Sequence, residues 1–130
     1  MKTNLNIVPK ELSERLLKLG FDYEVDHVYL DDELIKRLDK YTNEYDGKIP
    51  APYPEIVIQF FREVHSIDIF MARIGNVTMP NLGYSFICFI GDDETPKYMN
   101  AIFESYEDAQ IEAIKNILDY LDGTNNFLDA

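Results

Sequence analysis

The chain has 130 residues, 46% of them hydrophobic and 13% aromatic, with 24 acidic against 12 basic side chains and a formal net charge of -12. That length suits one domain, and the apolar content can build a core without disulfides or a structural metal, so a disordered chain is excluded. The acidic excess also repels a phosphate backbone, and the longest basic cluster, Lys36, Arg37 and Lys40, is broken by Asp39 and preceded by Asp31, Asp32 and Glu33, so direct nucleic-acid binding is not expected.

In chain order, Pro9 suits a first helical position, and Leu12, Leu16 and Leu19 follow at helical spacing as far as Gly20. Gly20 fits a left-handed C′ residue, with Phe21 packing back on Leu16. Tyr23 to Leu30 alternates as a strand. From Asp31 to Lys48, the spacing of Leu34, Ile35 and Leu38 predicts a short helix, then a loop at Asn43, Asp46 and Gly47. The run Ile49-Pro50-Ala51-Pro52-Tyr53-Pro54 forces extended backbone and marks the main boundary. Pro54 then opens a helix to His65 whose stripe of Val57, Phe60, Phe61 and Val64 is expected to be buried against a sheet. Strands are expected at Ile67 to Ile74, Tyr84 to Ile90 and Tyr98 to Glu104, with breaks at Gly75 to Gly83, Gly91-Asp92-Asp93 and Pro96. Ser105-Tyr106-Glu107-Asp108 resembles a capping box for a last helix through Leu121, stopped by Gly123. Phe127 and Leu128 could dock an otherwise polar tail.

The expected fold is therefore α+β, a three-stranded antiparallel sheet with flanking helices in α-β-β-β-α order plus an N-terminal helical and strand extension. One domain spans 1–130, with the extension at 1–49, the core at 50–123 and the tail at 124–130. In the middle strand, Tyr84, Phe86, Cys88 and Ile90 share one face and Ser85, Ile87 and Phe89 the other. Both faces are apolar, which predicts cover on both sides. Two helices flanking one sheet cover only one face, so Ile87, Phe89 and Phe70 need another neighbour. The N-terminal third is the first candidate, a second copy the next, and a different partner the third. Phe70, Ile87 and Phe89 are thus the candidate interaction surface.

Chemistry-bearing motifs are sparse. His65 lies near Glu63 and Asp68, and His27 near Asp26, Asp31 and Asp32, yet neither belongs to a metal-ligand or triad pattern. Asp92, Asp93 and Glu94 lack the spacing of a calcium loop. The lone Cys88 cannot form an internal disulfide and, between Ile87 and Phe89, reads as a core residue. No catalytic, cofactor-binding or metal-binding residue is assigned, and enzyme activity is disfavoured, with dispersed carboxylates the one enzymatic alternative. Met1 to Val8 has no signal-peptide pattern, and no apolar run reaches the ~18 residues of a membrane span, so a cytoplasmic, unanchored protein is expected.

Ala51-Pro52 opening a helix, Phe61-Arg62-Glu63-Val64-His65-Ser66-Ile67 leading into a strand, and Ser105-Tyr106-Glu107-Asp108-Ala109 opening the last helix resemble a group of short uncharacterised proteins from gut anaerobes and their phages. Phe60-Phe61 stands where that group has Trp-Leu, and Asp108 where it has Glu. The resemblance covers about Ile49 to Leu121 and implies a phage or mobile-element origin, with no activity attached. The α-β-β-β-α order is also similar to the double-stranded-RNA-binding fold and related antitoxin domains. That likeness implies lysines at the start of the last helix, where this chain has Tyr106, Glu107 and Asp108. The expected function is an acidic, non-enzymatic module that binds a protein partner or itself as a homodimer. The alternative is an acidic inhibitor or antitoxin-like protein that occupies a basic site on a nucleic-acid-handling partner.

Overall fold

A computed structural model describes residues 6–36, 48–98 and 101–123. The expectations placed on Arg37, Leu38, Lys40, Asn43, Asp46, Gly47, Phe127 and Leu128 lie outside them. The described elements are α1 (Lys10–Lys18), β1 (His27–Leu30), β2 (Glu33–Lys36), β3 (Ile49–Pro50), α2 (Pro54–His65), β4 (Ile67–Ile74), β5 (Gly83–Ile90), β6 (Lys97–Tyr98) and α3 (Tyr106–Leu121). The fold is α+β, with helices before and after a three-stranded antiparallel sheet. Two compact units, Met1–Phe60 and Phe61–Ala130, meet in sequence within α2. The proline-rich run that the sequence marks as a boundary lies inside the first unit.

In the first unit, Pro9 is the N-cap of α1, one position before the expected N1. The helix ends as its sequence predicts. Gly20 adopts φ +89, its N–H donates to the Leu17 carbonyl at 3.1 Å, and the Phe21 N–H donates to the Leu16 carbonyl at 3.0 Å. Those two bonds are the Schellman pattern, and they leave Leu12, Leu16 and Phe21 buried. Buried Val8 anchors the chain ahead of α1. Its N–H donates to the Pro52 carbonyl at 3.0 Å, and its own carbonyl accepts from the Tyr29 hydroxyl at 2.8 Å and the Ser13 hydroxyl at 3.3 Å.

The strand expected from Tyr23 begins only at His27, because Tyr23 instead joins an aromatic cluster. Its ring lies 5.6 Å from Phe21 and 5.4 Å from Phe60, and Phe21 meets Phe60 edge-on at 5.1 Å. The helical turn expected at Leu34 and Ile35 is corrected: Glu33–Lys36 is a strand, paired antiparallel with β1 from Leu30↔Glu33 to His27↔Lys36. The cause is the two-residue link Asp31-Asp32, in which Asp31 takes φ 55, a conformation that aspartate tolerates better than most residues. β3 joins on the other side, giving a second three-stranded sheet in the order β2-β1-β3.

In the second unit, β4 and β5 pair antiparallel over their full length, from Ile67↔Ile90 to Ile74↔Gly83. The third strand is shorter than the sequence predicts. Among the described residues Lys97–Tyr98 forms β6, and a single bridge joins Tyr84 and Phe103, whose N–H groups each donate to the other's carbonyl at 2.8 and 2.7 Å. Gly83 is required there, since a Cβ on it would lie 2.5 Å from the Phe103 carbonyl oxygen at φ +142. Ser105 caps α3 as expected, its hydroxyl accepting from the Asp108 N–H at 3.0 Å. Ala109, Ala113, Ile114, Ile117 and Leu118 form its buried face, and α3 packs on β4 and β5. Each large apolar side chain buried in this layer contributes about 1.5–3 kcal/mol. Along α2, Val57, Phe60 and Phe61 are buried, but Val64 is 54% exposed, so the apolar stripe is narrower than expected.

Candidate interaction surface

Alternation along β4 and β5 places Ile67, Ile69, Phe86 and Cys88 on one face, and all four are buried. The opposite face carries Asp68, Phe70 and Ala72 from β4 and Ser85, Ile87 and Phe89 from β5. Phe70 lies directly across from Ile87 in the register, and its ring meets Phe89 edge to face, with centroids 5.8 Å apart and planes at 81°. The three residues singled out from the sequence therefore form one apolar cluster. Ile87 and Phe89 are half-buried, and Phe70 is 52% exposed. The cover inferred from the two-sided apolar pattern does not extend to Phe70. Asp68, across from Phe89, gives the cluster a charged border.

A second apolar group, in the connection between β4 and β5, has no counterpart in the sequence reading. Val77, Met79 and Leu82 are exposed on a loop that Asn76 holds in shape. The Asn76 side-chain oxygen accepts from the N–H groups of Thr78 at 3.0 Å and Met79 at 2.7 Å, while the Asn76 backbone N–H donates to the Met79 carbonyl at 2.9 Å. Leu82 then returns to the ladder through the Ile74 carbonyl at 2.8 Å. The available signal was the lack of any charge between Gly75 and Gly83, a stretch read only as a connection.

The chemistry-bearing candidates are dispersed. Cys88 is 0% exposed, and burial pushes its thiol up to about 12, which leaves it protonated at neutral pH. His27 is half-buried with its ring edge-on to Tyr53 at 6.1 Å, and its Nδ1 has no hydrogen-bond partner among the described residues. His65 closes α2, its ring 6.3 Å from that of Phe61. In the turn after β5, Asp93 accepts from the Thr95 N–H at 2.9 Å, a bond that holds its carboxyl below the usual range. Asp32 is held low by a hydrogen bond from Lys10, whose ammonium lies 2.8 Å away at the surface. No group of three or more His, Cys, Asp or Glu side chains among the described residues is arranged to hold a metal ion. No helix among them is long and apolar enough to cross a membrane.

Comparison of the chain with family models, curated proteins and solved structures finds no match.

Proposed function

We propose that this protein is an acidic, non-enzymatic binding module of the cytoplasm that docks protein through the Phe70 side of the β4-β5-β6 sheet. The observation that carries the reading is the Phe70 ring, 52% exposed yet braced against Phe89 and standing across from Ile87. An aromatic side chain held by its neighbours loses little further freedom when a partner covers it, and such anchors dominate binding energy at interfaces. The surrounding negative charge keeps the chain soluble while this face stays available.

A second reading, the acidic inhibitor that fills a basic site, is favoured by the net charge of -12. Salt separates the two. Docking through charge weakens steeply as salt rises, whereas docking through Phe70 does not.

The test uses Phe70→Asp, which changes an exposed position and leaves the buried face intact. Wild-type and variant proteins are used as baits in the native host extract and compared by light scattering at several concentrations, at low and moderate salt. The reading expects the variant to lose at least about tenfold in affinity for whatever the wild type binds, partner or second copy. Equal capture and equal self-association by the two proteins would overturn it.

A further inference from the structure

The two edges of the β4-β5-β6 sheet differ in how they are protected. On one side β6, two residues long among the described residues, is preceded by Pro96 and opened by Lys97, features that blunt a sheet edge against pairing. On the other, β4 is the outer strand among the described residues, eight residues long, with no proline or lysine and with Asp68 and Arg73 as its charged side chains. An edge of that kind is a template for another strand.

The ladder fixes which β4 groups face outward. Gly91 donates its N–H to the Ser66 carbonyl at 2.7 Å, so residues 66 and 91 are a bonded pair in a register that continues as Ile67↔Ile90. Alternation then directs the N–H and C=O groups of Asp68, Phe70 and Ala72 at β5, and those of Ile69, Met71 and Arg73 at the open edge. The Tyr84–Phe103 bridge on the far side of β5 agrees, since it places the even-numbered residues of β5 in bonds away from β4.

Charge identifies the occupant. From Ile69 to Gly91 the chain contains neither aspartate nor glutamate, although it carries 24 acidic residues in all. A basic partner would find a single carboxylate along this hairpin, Asp68 near the start of β4. Two copies of a protein of net charge -12, by contrast, can approach here without setting carboxylate against carboxylate. The strand also matches itself: antiparallel pairing about Phe70 puts Phe70 opposite its own copy in a non-bonded pair, where side chains lie closest, Ile69 opposite Met71, and Asp68 opposite Ala72.

We infer that β4 pairs with β4 of a second copy, antiparallel and centred on Phe70, joining two sheets into one and covering the exposed Phe70 ring. This rests on the docking reading above and names the partner. The pairing is isologous, so it closes at a dimer.

The experiment measures amide hydrogen exchange on the full chain at low and high protein concentration, beside sedimentation velocity. In a β4-paired dimer the amides of Ile69, Met71 and Arg73 lose their protection on dilution, while those of Asp68, Phe70 and Ala72, bonded to β5, keep theirs. Met71→Pro supplies the second arm. It deletes an outward N–H and spares the β4–β5 ladder, so it is expected to sediment as a monomer at concentrations where the wild type is dimeric. A wild type that stays monomeric throughout, a dimer whose odd-numbered β4 amides exchange alike at all concentrations, or a folded Met71→Pro variant that dimerises as the wild type does would each overturn the inference. The docking reading fails separately, where Phe70→Asp matches the wild type in both capture and self-association.

Discussion

At single positions, the balance between backbone freedom, packing and desolvation decides what each residue can do. Gly20 and Gly83 both lie at positive φ, but a Cβ at Gly20 meets nothing within 4 Å, whereas at Gly83 it meets the Phe103 carbonyl and the Ile102 side chain. Gly20→Ala is therefore expected to cost about 1 kcal/mol in backbone strain alone. Gly83→Ala adds overpacking to strain and is expected to cost at least about 3 kcal/mol, with both values read from urea unfolding. Equal costs would mean that the Tyr84–Phe103 bridge yields freely. Cys88 gives a pH-dependent counterpart. Its folded thiol is raised to about 12 from an ordinary value of 9.0 by desolvation, so the unfolded chain releases this proton first. Stability is unaffected by this group below pH 9.0 and falls as pH rises from there towards 12. Thiol alkylation at neutral pH is expected only after denaturant is added, and rapid labelling of the native protein would contradict that burial.

Whole elements were legible where one local signal dominated. The spacing of α1 with Gly20 behind it, the Ser105 cap of α3 and the long apolar runs of β4 and β5 all appear where their residues place them. Replacing the cap, Ser105→Ala, frees the Asp108 N–H and is expected to cost about 1 kcal/mol, measured by thermal or urea unfolding. Elements whose identity depends on a partner strand were not legible. Leu34 and Ile35 fit a helical turn by spacing, and only their pairing with Tyr29 and Val28 makes them β2. Tyr23 fits a strand by alternation, but the rings of Phe21 and Phe60 hold it elsewhere. Among the described residues the third strand of the second unit is Lys97–Tyr98 and one bridge for the same reason, since pairing rather than propensity sets its extent. The surface cluster was legible in membership, as Phe70, Ile87 and Phe89 do meet, because β-alternation alone assigns the face. The exposed loop residues Val77, Met79 and Leu82 were not, as an apolar connection carries no periodicity to read.

Across the molecule, the acidic residues are unevenly spread along the sequence. The whole excess lies outside the β4–β5 hairpin, whose charged side chains are Asp68 and Arg73. Such a partition suits docking through the neutral segment while the remainder repels non-specific neighbours, and it makes salt a weak influence on affinity. An association that rose more than about tenfold in Kd between low and moderate salt would assign the binding to charged contacts instead. The most direct test of the docking face is hydroxyl-radical footprinting of Phe70, with the protein free and then concentrated or bound to the partner that it captures. The account predicts slower oxidation of Phe70 in the associated state, with Phe86 on the buried face unchanged. Oxidation of Phe70 at the same rate in both states, whether or not contacts form elsewhere, would contradict it.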